Sequence, residues 1–216
     1  MKVFGVALPS NKVFKEYVTK NNLTIEVCKK VIENKGLYNP LFITGATGTG
    51  KTLLAKEVAK GFAKDLYNVK YAIAEEFYND LTHAIRNNTN EQFRDTYRNV
   101  DVLVLDDIDF FEGKTVIQEE LLHTMKSLLE RNSQIILTST KRIDELQSYD
   151  YKLISRFSKG IEITTDFPDY EIRLAILKEN YNLPIDTLKE LAQEEITDIN
   201  VLLGKVHLLS EQRKSK

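Results

Sequence analysis

The stretch GATGTGKT, residues 45–52, constrains this chain more than any other. It fits the pattern G-x-x-x-x-G-K-[ST], with Gly45, Gly50, Lys51 and Thr52 at the fixed positions. Ala46, Thr47, Gly48 and Thr49 fill the turn between them, and Leu53 follows. Glycines let backbone N–H groups curl around a phosphate with no Cβ in the way. The start of the following helix adds oriented donors and partial positive charge. Lys51 is placed to reach β- and γ-phosphates, and the Thr52 hydroxyl to ligand Mg²⁺. The motif has the context it needs. Leu41-Phe42-Ile43-Thr44 reads as a buried strand, and Leu54, Val58 and Phe62 mark one helical face after it. The residues therefore predict ATP or ADP with Mg²⁺ as the bound cofactors.

A second landmark belongs with the first. Val100-Asp101-Val102-Leu103-Val104-Leu105 is a strand that ends in Asp106-Asp107. An apolar strand ending in a carboxylate is what a phosphate loop needs beside it, to hold Mg²⁺ and orient water. Asp106 is assigned to the metal shell and Asp107 to water positioning. The plain alternative is an Asp-rich turn at a strand end, since Asp109 follows.

Further strands are expected at 69–73, 133–140 and 161–164, giving five with the two above. Helices are expected near 24–35, from Thr52, near 75–86 and 90–98, at 117–132, at 153–157 and through the tail. Strands alternating with helices predict an α/β fold, an αβα sandwich on a five-stranded parallel sheet. Pro168 marks a boundary, and Asp169 can cap the first tail helix. The expected division is a nucleotide-binding core over 1–165 and a small helical lid over 166–216.

Composition excludes several classes. Lys+Arg 30 against Asp+Glu 32 leaves a net charge of −2, which does not suggest a general nucleic-acid coat. The single cysteine, Cys28, excludes an internal disulfide and lies in a helical apolar pattern as a core thiol. His83, His123 and His207 stand on separate predicted helices without metal-ligand spacing. No apolar run is long enough to cross a membrane and no signal-peptide pattern is present, so a cytoplasmic location is expected.

Longer stretches carry a resemblance. PSN (9–11), YNPLFITGATGTGKT (38–52), AEEFYNDLTHAIRNN (74–88), FRDTYRNVDVLVLDDIDFFEGK (93–114), QEELLHTMKSLLE (118–130), QIILTST (134–140) and SRF (155–157) are similar to the AAA+ ATPase domain of the bacterial replication initiator DnaA family. The resemblance implies a P-loop NTPase with a helical lid that binds ATP and assembles head to tail. It implies that Pro9 and Asn11 lie near the adenine. It places Thr140 where the family's sensor I acid stands, and Arg156 at the arginine finger that reaches a neighbouring subunit's γ-phosphate. Departures also follow. Asn200 stands at the sensor II arginine, and a neutral amide cannot pair with a phosphate as a guanidinium does. Lys205, the nearest cation on that helix, points elsewhere. Val116 replaces a pore arginine although Lys114 matches, and Thr82 replaces an apolar residue. Single-stranded DNA contact is therefore expected to be weak. Ala7-Leu8-Pro9 lacks the glutamine of a clamp-binding segment. No segment that reads duplex DNA is expected after the lid.

The resemblance points to a stand-alone, DnaA-like protein similar to Hda, with weak ATPase activity. It would act in replication initiation or its regulation, in an AAA+ homo- or hetero-oligomer, with the initiator or a replicative helicase as partner. A helicase loader similar to DnaC and a truncated initiator ATPase domain remain alternatives. A P-loop small-molecule kinase would need arginines over the phosphates in cis, and the tail offers only Arg173 and Arg213.

Overall fold

A computed structural model describes residues 2–3, 6–7, 22–194 and 199–214 of the chain. Two short strands, β1 (Lys2–Val3) and β2 (Val6–Ala7), pair antiparallel. Helix α1 runs Asn22–Glu33. Then come β3 (Leu41–Thr44), α2 (Lys51–Lys64), β4 (Val69–Ile73), α3 (Ala74–Asn87), α4 (Asn90–Arg98) and β5 (Val102–Asp106). A 3₁₀ turn at Ile108–Phe111 leads to α5 (Thr115–Glu130), β6 (Gln134–Ser139), α6 (Tyr151–Phe157) and β7 (Ile161–Thr164). The tail forms α7 (Tyr170–Asn180), α8 (Ile185–Gln193) and α9 (Ile199–Lys214).

The described chain divides into two compact units. One comprises Glu26–Gly45 and Lys51–Thr165; the other includes Ala46–Gly50 and the segment from Asp166. In the first, β3 to β7 form one parallel sheet in the order β4-β5-β6-β3-β7. Every residue of β3, β5 and β6 is buried, because helices cover a parallel sheet on both faces. Helix α2 packs across the central strands through Leu54, Ala55, Val58 and Phe62. The other side of the core is aromatic. Phe77 stacks edge-on with Phe93 and Tyr97 at 5.2 and 4.7 Å. Met125 is core filler and Cys28 is a buried free thiol, as the patterns predict.

All five strands run the same way, so the sheet has a lower edge where strands enter and an upper edge where they end. Two amides tie the lower edge. Gln134 accepts from the Gly36 N–H at 3.0 Å and donates to the Tyr38 carbonyl at 2.9 Å. Asn39 donates to the Ser133 carbonyl at 2.7 Å and accepts from the Ile135 N–H at 2.9 Å. Gly160 sits against Pro40, where an added Cβ would lie 1.8 Å from the proline carbonyl oxygen.

The tail unit has its own core of Leu177, Tyr181, Leu188, Leu191, Ala192, Leu202 and Val206. Asp169 caps α7 by accepting from the Ile172 N–H at 3.0 Å.

Candidate phosphate and metal site

β3 ends at Thr44 and α2 begins at Lys51, one residue earlier than the sequence pattern suggests. The loop between them needs left-handed backbone, with φ of +82° at Gly48 and +94° at Gly50. A side chain at either position would strain the turn. Thr49 fastens the loop from within, donating its hydroxyl to the Ala46 carbonyl at 2.8 Å. Ala46 and Thr47 are exposed, and Gly48, Gly50 and Leu53 are half-buried. Lys51 is 9% exposed, and its Nζ donates to the Gly45 carbonyl at 2.7 Å. The Thr52 side chain is exposed, and its hydroxyl has no partner among the described residues.

Asp106 is the last residue of β5 and is 3% exposed. A buried carboxylate needs hydrogen-bond donors, and two hydroxyls supply them. The Tyr71 hydroxyl, from β4, donates to Oδ2 at 2.5 Å. The Thr138 hydroxyl, from β6, donates to Oδ1 at 2.5 Å. Thr138 also accepts from the Asp107 N–H at 2.8 Å. That contact helps hold Asp107 at φ +63°, a conformation few non-glycine residues adopt. Partial burial, a hydrogen bond to Asp109 and the charges of Asp109 and Asp106 raise the pKa of Asp107; Lys51 acts against them. The Asp107 side chain remains solvent-accessible all the same. Burial first, and then the bond to Asp106, push the Tyr71 phenol far above its usual value, so it stays a donor.

Thr140 is placed differently from Thr138. Its side chain is exposed, and its N–H donates to Asp109 Oδ2 at 2.7 Å. Ser139 donates to Asp109 Oδ1 at 2.7 Å. The hydroxyl that touches Asp106 is thus two residues before the one the resemblance singles out. Sequence reasoning missed Thr138 and Tyr71. Strand register offers a signal for Thr138, since Leu105 pairs with Leu137, but not for Tyr71, which pairs with Val104 and reaches Asp106 from two residues lower.

Arg156 lies on α6, half-buried, and its guanidinium has no hydrogen bond or ion pair among the described residues. Pro9 and Asn11 lie outside the described residues. Asn200 falls in the first turn of α9, and its side chain is also outside them. Lys205 pairs with Glu194 at 2.5 Å. Arg173 donates to the carbonyls of Ala192 and Pro168 at 2.9 and 2.8 Å, which commits it to the tail's own structure.

Thr52 and Asp106 are hard oxygen donors of the kind Mg²⁺ selects. Among the described residues no group of three or more His, Cys, Asp or Glu side chains could hold a metal ion. A Mg²⁺ ion here would take its remaining ligands from water and nucleotide phosphates, which is its usual mode.

In this sheet the strand bearing Thr138 lies between the phosphate-loop strand and the carboxylate strand. That order belongs to the AAA+ class of P-loop NTPases. Residues 8–164 match the bacterial DnaA ATPase domain, and the chain belongs to that family. It is 39% identical over 186 residues to the chromosomal replication initiator protein DnaA of Lacticaseibacillus casei, covering 82% of this chain and 41% of that protein. For DnaA of Caldanaerobacter subterraneus the values are 38% over 192 residues, 85% and 43%. The chain thus spans less than half the length of these curated relatives. The structure resembles domain III of the Thermotoga maritima replication initiation protein DnaA, with a TM-score of 0.83, 30% identity, and coverage of 91% of this chain and 86% of that one. The DnaC helicase loader shares the fold more distantly, with a TM-score of 0.55 and 20% identity over 74% of this chain and 94% of that one. No described helix is long and apolar enough to cross a membrane.

Proposed function

We propose that this chain binds ATP or ADP with Mg²⁺ at residues 45–53 and acts in bacterial replication initiation or its regulation through a trans contact with an AAA+ neighbour. Residues 1–165 serve as the nucleotide-binding core and 166–216 as the lid, with Pro9 and Asn11 beside the adenine. The buried Lys51 supplies positive charge to the phosphates. Thr52 and Asp106 hold the metal ion, which neutralises developing charge on the phosphate oxygens when bound. Asp107 orients water, and Thr140 senses the γ-phosphate through a hydroxyl.

The observation that carries the regulatory part is Arg156. Its guanidinium is half-buried and unpaired among the described residues, which leaves it available to a neighbour's phosphate. The sensor II position, by contrast, holds Asn200. A subunit with a finger and no lid arginine is suited to giving a signal rather than receiving one. The proposed role is to insert Arg156 beside the γ-phosphate of an ATP-bound initiator and accelerate its hydrolysis. Fixed positive charge at that point reaches about 10³–10⁵ in rate in the strongest cases.

Hydrolysis by the cognate initiator, loaded with labelled ATP, tests this. The expected result is acceleration by wild type and by Lys51→Ala, which silences this chain's own site, and none by Arg156→Ala. Equal acceleration by Arg156→Ala, or none by wild type, would overturn the regulatory role. Capture of a replicative helicase in place of the initiator would favour a loader. Asn200→Arg is expected to raise the preference for ATP over ADP by about tenfold to a hundredfold, the worth of one charge-assisted contact.

A further inference from the structure

The Asp106 carboxylate is held from both sides by the strands that flank its own. Tyr71 on β4 donates to one oxygen and Thr138 on β6 to the other, each at 2.5 Å. The sheet order β4-β5-β6 puts Asp106 on the strand between them; Thr138 stands at its level, and Tyr71, paired with Val104, reaches it from two residues lower on β4. Each oxygen keeps a second lone-pair direction, so the carboxylate can still accept from a metal-bound water. What it cannot do is rotate. The Tyr71 ring is restrained in turn, since Lys56 Nζ lies 4.9 Å from its centroid. Thr138 has a second duty, because it also accepts from the Asp107 N–H at 2.8 Å.

We infer that Tyr71 and Thr138 are positioning residues for the metal shell, fixing the one carboxylate orientation in which Asp106 meets a nucleotide-bound Mg²⁺. The inference rests on the reading of Asp106 given above. Mg²⁺ demands near-ideal octahedral geometry and tolerates a misaligned ligand poorly, so orientation matters more for this ion than for a larger one. Partners that orient metal ligands commonly affect metal affinity by tenfold or more when removed. Thr138 carries the larger share, because losing it also frees the backbone at Asp107.

The test measures Mn²⁺ binding to the ADP complex by electron paramagnetic resonance, alongside ADP affinity in excess chelator and thermal unfolding. Tyr71→Phe is expected to weaken Mn²⁺ binding about three- to tenfold, and Thr138→Val about tenfold or more. ADP affinity without metal should stay within about twofold for both. Thr138→Ser keeps the hydroxyl and should restore binding to near wild type, which separates the contact from general damage to the fold. Tyr71→Phe removes one oxygen from a half-buried ring and keeps the proposal testable if Thr138→Val does not fold. Mn²⁺ affinity unchanged or tightened in Tyr71→Phe and Thr138→Val would overturn the inference. If wild type binds ADP and its Mn²⁺ affinity is unaffected by Asp106→Ala, the metal reading of Asp106 itself falls, and this inference with it.

Discussion

The two edges of the sheet use buried polar side chains for opposite ends. At the lower edge two neutral amides bond to backbone: Gln134 joins Gly36 and Tyr38, and Asn39 joins Ser133 and Ile135. At the upper edge the groups are charged and their partners are mostly other side chains, as with Asp106 between Tyr71 and Thr138. Neutral groups satisfied by backbone add stability with little electrostatic strain. Charged groups crowded together carry repulsion, which adds to partial burial and a hydrogen bond to Asp109 in raising the pKa of Asp107. The lower edge is therefore built to hold, and the upper edge carries the charge that the proposed nucleotide and metal would meet.

Substitutions can break that contrast. The largest effect is expected at Gly160, where a Cβ would stand 1.8 Å from the Pro40 carbonyl oxygen. Gly160→Ala should lower the free energy of unfolding by about 4 kcal/mol or more, since backbone must move to admit it. Denaturation in urea measures this. Gln134→Ala comes next. It leaves the half-buried Gly36 N–H and Tyr38 carbonyl without their partner, at about 1 kcal/mol each, and the folded fraction should bind ADP as wild type does. If ADP affinity falls in parallel, the two edges are not independent. Lys51→Ala should reverse the pattern, reducing ADP affinity about tenfold to a hundredfold with little loss of melting temperature. Calorimetry and thermal unfolding on the same sample decide it.

A smaller effect is expected from alkali. Burial raises the Tyr97 and Tyr149 phenols above their ordinary value, with hydrogen bonding to Asp80 adding for Tyr97. An acid with a raised folded pKa stabilises the fold fully below its unfolded pKa, here about 10, and loses that contribution as pH rises above it. The urea midpoint should therefore fall above pH 10, and less steeply in Tyr149→Phe. Cys28 gives the smallest and cleanest check. Burial pushes its thiol up to about 12. Iodoacetamide at neutral pH should label it only after unfolding.

Most of the sheet could be read from the sequence because its strands are short apolar runs between clear turns. Leu41–Thr44, Val69–Ile73 and Ile161–Thr164 fall where expected. The carboxylate strand starts two residues later than the apolar run suggests, because Val100 is buried without belonging to the ladder. The phosphate loop and Asp106 were legible because their chemistry is local in sequence. Tyr71 and Thr138 were not, because each acts on a residue of a neighbouring strand. Alternation marks Tyr71 as a strand residue but says nothing of what its hydroxyl meets. The run Thr138-Ser139-Thr140 offers three hydroxyls, and only strand register separates the one on Asp106 from the others. The lower-edge amides are equally silent in sequence, since Asn39 and Gln134 lie far apart along the chain.

Lys51 carries one more consequence. Its ammonium is already seated on the Gly45 carbonyl and largely withdrawn from water. Dehydrating that cation is therefore part of folding rather than of ligand capture. The folded protein carries a buried positive charge, and the desolvation of that charge works against folding. Replacement by an apolar side chain of similar length, Lys51→Met, should accordingly melt no lower than wild type in the absence of nucleotide. At equal nucleotide concentration the rise in melting temperature should be smaller in Lys51→Met than in wild type, because its affinity is lower.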